Sequence, residues 1–332
     1  MSPDRPVLVV GASGFIGGAL ARELRRRGRR VRVLVHNSST PLQSTGVEVA
    51  VGDLLDPPSL RAAVRGTGLI YHAGGLNTMC PSAPGRLFEV NVRGTLNLIE
   101  AAAAEGVPRL VYTSSAATIG ERRGEVATPD SSHRGFYLST YEHSKHLAEV
   151  EARQRARRLG LELVCVNPSS VQGPGRTGGT ARWLIRYADG RLRWMVDTRV
   201  SLLAIDDCVQ AHLGAAEHGL PERRYLINGA TLGITELIEL VGELTGQHQK
   251  VRLLPPGLAR WGGSAVGAAF TALGRRPPVC GEMVRTLLHG HAYDGSAAAR
   301  ELGFDYTPVR EFLAATLTWY WEQGLIRRRP RL

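Results

Sequence analysis

Tyr141 and Lys145 stand four residues apart in Tyr141-Glu-His-Ser-Lys145, the spacing that puts two side chains on one face of a helix. A free tyrosine hydroxyl ionises near about pH 10, and a lysine ammonium beside it favours the phenolate. Such a tyrosine can exchange a proton with a substrate near neutral pH. A Tyr-x-x-x-Lys pair alone is common by chance. Tyr112-Thr-Ser-Ser115, one strand, loop and helix earlier, strengthens it. Ser115 is expected at the carboxyl end of a sheet strand, where ligands of open α/β sheets bind. Its hydroxyl is suited to hold the substrate oxygen that Tyr141 protonates or deprotonates, and Ser114 competes for that role. Asn91, in Asn91-Val-Arg-Gly-Thr95, opens a long helix. It either holds a backbone carbonyl or a water that relays protons to Lys145, or it caps the helix. His72 ends a strand and reads as a packed histidine.

A dinucleotide site is expected at Gly11-Ala-Ser13-Gly14-Phe15-Ile16-Gly17, between an apolar run and a helical segment. Gly11 allows the tight turn, Gly14 lets a pyrophosphate approach the main chain, and Gly17 permits close helix–strand packing. Helix N-terminal amides then face the phosphates. An acidic residue that would bind ribose hydroxyls is missing after the second strand, which continues His36-Asn37-Ser38-Ser39. With Arg32 nearby, this favours NADP(H) over NAD(H), although the loop is also compatible with both. Asp53, followed by Leu54, is placed to accept from an adenine amino group. Ala73-Gly74-Gly75 lets backbone lie against the cofactor.

These residues need a scaffold. Short β-branched runs at Val7–Val10, Val31–Val35, Glu48–Val51, Leu69–His72, Arg109–Thr113 and Leu161–Val166 alternate with helical stretches, including Val90 to Glu105 and Tyr141 to Leu159. The pattern implies an α/β protein with a doubly wound parallel sheet of Rossmann type. Residues 1–170 form the expected dinucleotide-binding domain, with strands returning within about 195–228. Residues 171–194 and 229–326 form a smaller C-terminal substrate-covering lobe, and 327–332 a basic tail. Thr235 is read as the N-cap of a helix to Thr245.

Composition narrows the function classes. The 332 residues are 43% hydrophobic and 21% charged, the balance of a globular protein. The net charge of +11 raises nucleic acid binding. The arginines, however, fall in short groups without interleaved aromatics, which reads as solvated helix faces. The four cysteines (Cys80, Cys165, Cys208, Cys280) are scattered. Their spacing argues against a disulfide framework or a metal site and fits a reducing, cytoplasmic setting. The stretch 257–274 carries Trp261, Phe270 and Arg260 among alanines and glycines. It reads as a buried or lid helix, or else an interfacial helix near a lipophilic substrate, and not as a spanning one.

Taken together, Gly11-x-x-Gly14-x-x-Gly17, Gly52-Asp53-Leu54, Asn91-Val-x-Gly-Thr95, Thr113-Ser-Ser115, Tyr141-x-x-x-Lys145 and Ala204-Ile-Asp-Asp207 with Ala211-His212 resemble the extended short-chain dehydrogenase/reductase family, also called the NAD-dependent epimerase/dehydratase family. The resemblance covers the whole chain. It implies that Ser115 polarises the substrate, Tyr141 is the general acid/base and Lys145 supports it. It further implies that Pro168, Ser169 and Val171 line the nicotinamide, and that Asp206-Asp207 are structural. Family members often form homodimers through the helices that begin near Val90 and Tyr141.

Within this family the chain is nearest the branch of dihydroflavonol reductases, 3β-hydroxysteroid dehydrogenases and hopanoid-associated epimerase-like proteins. Val200 stands where nucleotide-sugar enzymes carry an arginine, and Ala116-Ala117 follow Ser115 where dehydratases carry Asp-Glu. The expected function is an NADP(H)-preferring oxidoreductase acting on a carbonyl or secondary alcohol of a fairly apolar cyclic substrate. The alternatives are an NAD-dependent nucleotide-sugar epimerase and a non-catalytic NAD(P)-sensing protein.

Overall fold

Val7-Leu-Val-Val10 is apolar at every position because its strand is covered on both faces. The structure is a computed structural model, and it describes residues 5–36 and 46–331. In chain order the first half runs β1 (Val7–Val10), α1 (Phe15–Arg26), β2 (Val31–Val35), β3 (Glu48–Val51), α2 (Pro57–Val64) and β4 (Leu69–His72). Then follow α3 (Pro84–Phe88), a π-helical turn (Glu89–Arg93), α4 (Gly94–Ala104), β5 (Arg109–Thr113), α5 (Thr140–Leu159) and β6 (Glu162–Pro168). The second half adds β7 (Ser170–Gln172), α6 (Ala181–Ala188), β8 (Trp194–Val196), β9 (Arg199–Ala204), α7 (Ile205–Glu217), β10 (Arg224–Ile227), β11 (Ala230–Gly233), α8 (Ile234–Thr245) and β12 (Arg252–Leu254). It ends with α9 (Pro256–Ala272), α10 (Gly281–His289), α11 (Ser296–Leu302) and α12 (Val309–Glu322).

Seven parallel strands in the order β10-β6-β5-β4-β1-β2-β3 form the main sheet, the doubly wound Rossmann arrangement. Helices α1 and α7 cover one face through Leu20, Leu24, Val209 and Leu213. Helices α2, α4 and α5 cover the other through Leu60, Leu98, Ile99, Ala148 and Ala152. The strand order reverses between β1 and β4, so the crevice for a ligand opens at their carboxyl ends. Val10 pairs with His72 there, which sets the glycine turn beside Ala73.

Of the strands expected to return, β10 joins the main sheet beside β6, whereas β9 lies between β11 and β7 in a separate three-stranded sheet. A third core under these strands is built by Leu184, Leu237, Val241, Leu313 and Leu317 of α6, α8 and α12. The helix over Val90 to Glu105 begins as the π-helical turn. Thr235 is not a cap: the helix starts at Ile234, and Glu236 accepts from the Gly233 amide at 2.7 Å.

One expectation fails. Cys80 and Cys280 form a disulfide, with Cα atoms 5.8 Å apart across 200 residues of sequence, while Cys165 and Cys208 are free and buried. Local spacing cannot reveal a pair that only the fold brings together. The bond ties the segment after β4 to the N-terminus of α10, and it removes the support that scattered cysteines lent to a reducing compartment. Unfolded, unreduced protein should titrate two thiols and reduced protein four. Cys280→Ser should cost about 2–4 kcal/mol in denaturant unfolding. Four thiols without reductant would refute the pairing.

Candidate active site

The three motif glycines do different work. Gly11 has φ +84°, and a Cβ there would lie 2.5 Å from the Gly74 amide nitrogen. At Gly17 a Cβ would meet the Gly11 carbonyl oxygen at 2.3 Å, so this position lets α1 pack on its own turn. Around Gly14 the chain itself leaves room, with only the Gly11 oxygen 3.2 Å from a Cβ. Gly14 is the N-cap of α1 and offers no side-chain cap, and no acidic residue lies in the first turn. The positive end of a 12-residue helix and its amides, at Phe15, Ile16 and Gly17, thus face a crevice edged by exposed Ser13. That is the chemistry a dinucleotide pyrophosphate requires, so the residues present fit the cofactor.

Around this turn, Ala73 donates to the Val10 carbonyl at 2.9 Å, and a Cβ on Gly75 would come 2.9 Å from Asn91 Oδ1. Leu54 packs beside Gly74 and Gly94, its carbonyl accepting from Asn97 at 2.9 Å. Asp53 accepts from the Leu55 amide at 2.8 Å, and its other oxygen lies 3.6 Å from His36 Nδ1. Asn37 lies outside the described residues. Arg32 does not make the crevice positive. It pairs with Glu48 at 3.1 Å and donates to the Ala63 and Arg65 carbonyls.

Helix α5 presents Tyr141 and Lys145. Ser139 caps it by accepting from the Glu142 amide at 3.2 Å, and Glu142 reaches back to the Leu138 amide and to Arg134 in a buried ion pair. Ser115, in extended conformation at the carboxyl end of β5, accepts from the Ala117 amide at 3.3 Å. It also lies close enough to the Tyr141 phenol to pull its ionisation down. Ser114 is committed elsewhere, donating to buried Glu149, which separates two serines that the sequence left one position apart.

The ionisation of Tyr141 differs from the expectation. Burial pushes its phenol up, against the opposing pull of Ser115 and the Arg176 guanidinium, and Lys145 is not among the groups that lower it. Lys145 is buried and donates to the Tyr112 hydroxyl at 2.8 Å and the Thr113 carbonyl at 2.9 Å. Burial lowers its pKa to about 8, with Glu149 and Cys165 opposing. Two of its three N–H donors are therefore used.

Asn91 makes neither a cap nor a contact with Lys145. It accepts from the Leu76 amide at 2.7 Å and donates to the Leu76 carbonyl and Ser144 Oγ, both at 3.0 Å. It therefore pins the segment after β4 to α5. His72 is fully buried against Tyr112, with Nε2 2.9 Å from Thr95 Oγ1. Asp207 accepts from the Thr307 amide and hydroxyl, while Asp206 is exposed, so the two carboxylates diverge. Beyond β6, Pro168 ends the strand and Val171 is buried in β7. The Ser169 amide donates to the Ile227 carbonyl at 2.9 Å, and its buried hydroxyl has no protein partner.

Sequence reading missed three groups. Glu149 lies four and eight residues beyond Lys145 and Tyr141 on the same helix face, and that spacing was the available signal. Arg176 stands over the Phe15 ring, its guanidinium carbon 5.6 Å from the centroid, and also acts on Tyr141. Glu121 meets His291 at 2.6 Å and His289 at 3.5 Å; these histidines hold its carboxyl down at about 2 despite burial.

Two tests follow from this burial. Desolvation lowers His72 to about 3 and His212 to about 4. The unfolded chain takes up protons near about pH 6.5 that the native state refuses, so stability must fall as pH drops from there toward 4. The slope is about 1.4 kcal/mol per pH unit for each histidine, measurable by urea unfolding, and a flat profile would count against neutral burial. Glu149→Ala should cost about 3–5 kcal/mol because it strands Arg224; an unfolding midpoint like that of the native protein would refute the network.

Comparison with known proteins agrees with this geometry. A family model for the NAD-dependent epimerase/dehydratase family matches residues 7–227. Sterol demethylase protein B of Methylococcus capsulatus is 32% identical over 331 residues, covering 96% of this chain and 99% of that protein. A putative dihydroflavonol 4-reductase of Synechocystis is 29% identical over 96% of this chain and 95% of its own length. The crystal structure of gox2253 superposes with a TM-score of 0.83 at 28% identity, covering 97% of this chain and 99% of that one. With its glycine turn, its parallel sheet and these relatives, the chain belongs to the NAD-dependent epimerase/dehydratase family of extended short-chain dehydrogenases/reductases and is an NAD(P)-dependent oxidoreductase.

Proposed function

We propose that the protein is an NADP(H)-preferring oxidoreductase that interconverts a carbonyl and a secondary alcohol on a fairly apolar cyclic substrate of steroid, terpenoid or polyketide type. The observation that carries this reading is the placement of Ser115, at the carboxyl end of β5, near the half-buried Tyr141 phenol on α5, close enough to pull its ionisation down. A bound nicotinamide supplies or accepts the hydride at the substrate carbon. Ser115 holds the substrate oxygen. Tyr141, whose burial keeps the phenol protonated at neutral pH, gives that oxygen its proton in the reductive direction and takes it back in the oxidative one. Lys145 fixes the end of β5 through Tyr112 and Thr113 and keeps one N–H for the cofactor ribose. Asn91 positions the segment that flanks the crevice.

The reductase and sterol-related names of the relatives support an apolar substrate over a nucleotide sugar. The likeness to the Thermotoga maritima UDP-glucose 4-epimerase, at 20% identity, carries the fold alone. A pure NAD(P) sensor does not need the intact Ser115, Tyr141 and Lys145 set. The NADP(H) preference rests on His36, an imidazole at the end of β2 where a carboxylate would repel a 2′-phosphate.

Tyr141→Phe should lower turnover of cyclic ketones by about a hundredfold or more, the usual worth of a general acid, with NADPH binding nearly unchanged. Surviving activity would remove Tyr141 from this role. His36→Asp should lower kcat/KM for NADPH by about tenfold with little effect on NADH. Equal use of both cofactors by the native protein would remove the preference, and turnover of a UDP- or dTDP-sugar would replace the substrate class.

A further inference from the structure

Helix α9 buries only Ala259, Gly263 and Gly267, a stripe at intervals of four. The stripe lies against α10: a Cβ on Gly263 would come 2.5 Å from Val284, and one on Gly267 3.4 Å from Cys280. The opposite face carries Leu258, Trp261, Ala265, Ala268, Ala269 and Ala272, all exposed, and Leu273 follows at its end. Trp261 is 71% and Leu273 70% exposed. An ordinary surface helix turns charge to water; this one turns apolar side chains outward along its whole length.

The surrounding charge has one sign. No Asp or Glu occurs between Lys250 and Glu282, whereas Arg252, Arg260, Arg275 and Arg276 do. Arg260 and Arg275 have no carboxylate partner among the described residues. A cavity of about 720 Å³ opens beside the helix, and Arg122, Arg123, Arg260 and Arg285 line it together with Phe136 and Leu288. The chain as a whole carries +11. A second copy of this chain would set these arginines against their own kind. Among the described residues no helix is long and apolar enough to cross a membrane.

We propose that α9 docks the protein on an anionic lipid bilayer. The Leu258–Trp261–Leu273 face enters the boundary between headgroups and acyl chains, as in other interfacial helices, and the flanking arginines meet the headgroups. The helix then lies in the plane of the surface with the cavity beside it. That an apolar substrate reaches the cavity from the lipid rests on the function proposed above; the docking itself does not.

Co-sedimentation with vesicles reads docking without any turnover. Vesicles of phosphatidylcholine mixed with phosphatidylglycerol should bind the protein, and phosphatidylcholine alone should bind it more weakly. Trp261→Glu, at a position that supports no core, should lower the partition coefficient by about tenfold or more, with the unfolding midpoint and NADPH binding unchanged. Arg275→Gln should lower it by about fivefold. Native protein that fails to sediment, or that sediments as well after Trp261→Glu, overturns the proposal. Light scattering that shows a dimer dispersed by Trp261→Glu, without vesicle binding, overturns it in favour of a second copy. Vesicle binding without ketone turnover would leave docking intact and reject only the substrate reading.

Discussion

Glu149 carries a carboxylate into the interior, 1% exposed, and the geometry of the site follows from where its partners come from. Ser114 follows β5, Thr118 lies in the turn beyond it, Asn167 is near the end of β6, and Arg224 begins β10, its Nε 3.0 Å from the carboxylate. One side chain on α5 thereby locks two neighbouring strand ends, the connecting turn and the edge strand to the helix that bears Tyr141 and Lys145. An unpaired carboxylate at this depth would be costly, so all these groups must arrive together. The consequence for Ser115 is indirect: with Ser114 bound to Glu149, the next residue points the other way, toward Tyr141.

Burial sets the electrostatics on this framework. It raises the Tyr141 phenol and lowers the Lys145 ammonium, so two groups whose ordinary values lie close together move apart in acidity. Lys145 is held by Tyr112 and Thr113 instead of by the tyrosine one turn away. Arg176 brings a positive charge to the tyrosine from the second half of the chain, where no short motif announces it. The helix pair is thus only part of the surroundings of the Tyr141 phenol, and the remainder is assembled from β5 and the segment after β7.

Beyond the shared core under α1 and α7, specific links tie the covering lobe to the first half. The disulfide between Cys80 and Cys280 holds α10 against the segment that Asn91 also pins. Ala127 pairs with Tyr293 as an isolated bridge, and His291 meets Glu121. These contacts keep the covering lobe close to the crevice while α9 turns its apolar face outward, so the cavity beside it is framed by elements from both halves.

What the sequence determined by itself was everything carried by local pattern. Fully apolar strands such as Val7–Val10, alternating with helices, implied the parallel sheet, because only a sheet covered on both faces tolerates such runs. The three glycines implied the phosphate turn, because each steric demand acts within a few residues. The four-residue spacing of Tyr141 and Lys145 placed them on one helix face. The tertiary structure alone decided what depends on distant residues. It paired Cys80 with Cys280, gave Ser114 to Glu149 and Ser115 to Tyr141, and tied Arg32 to Glu48. It also left the outer face of α9 uncovered. Desolvation reversed the expected direction for Tyr141, since a pKa is set by everything packed around the group and not by its partner one turn along the chain.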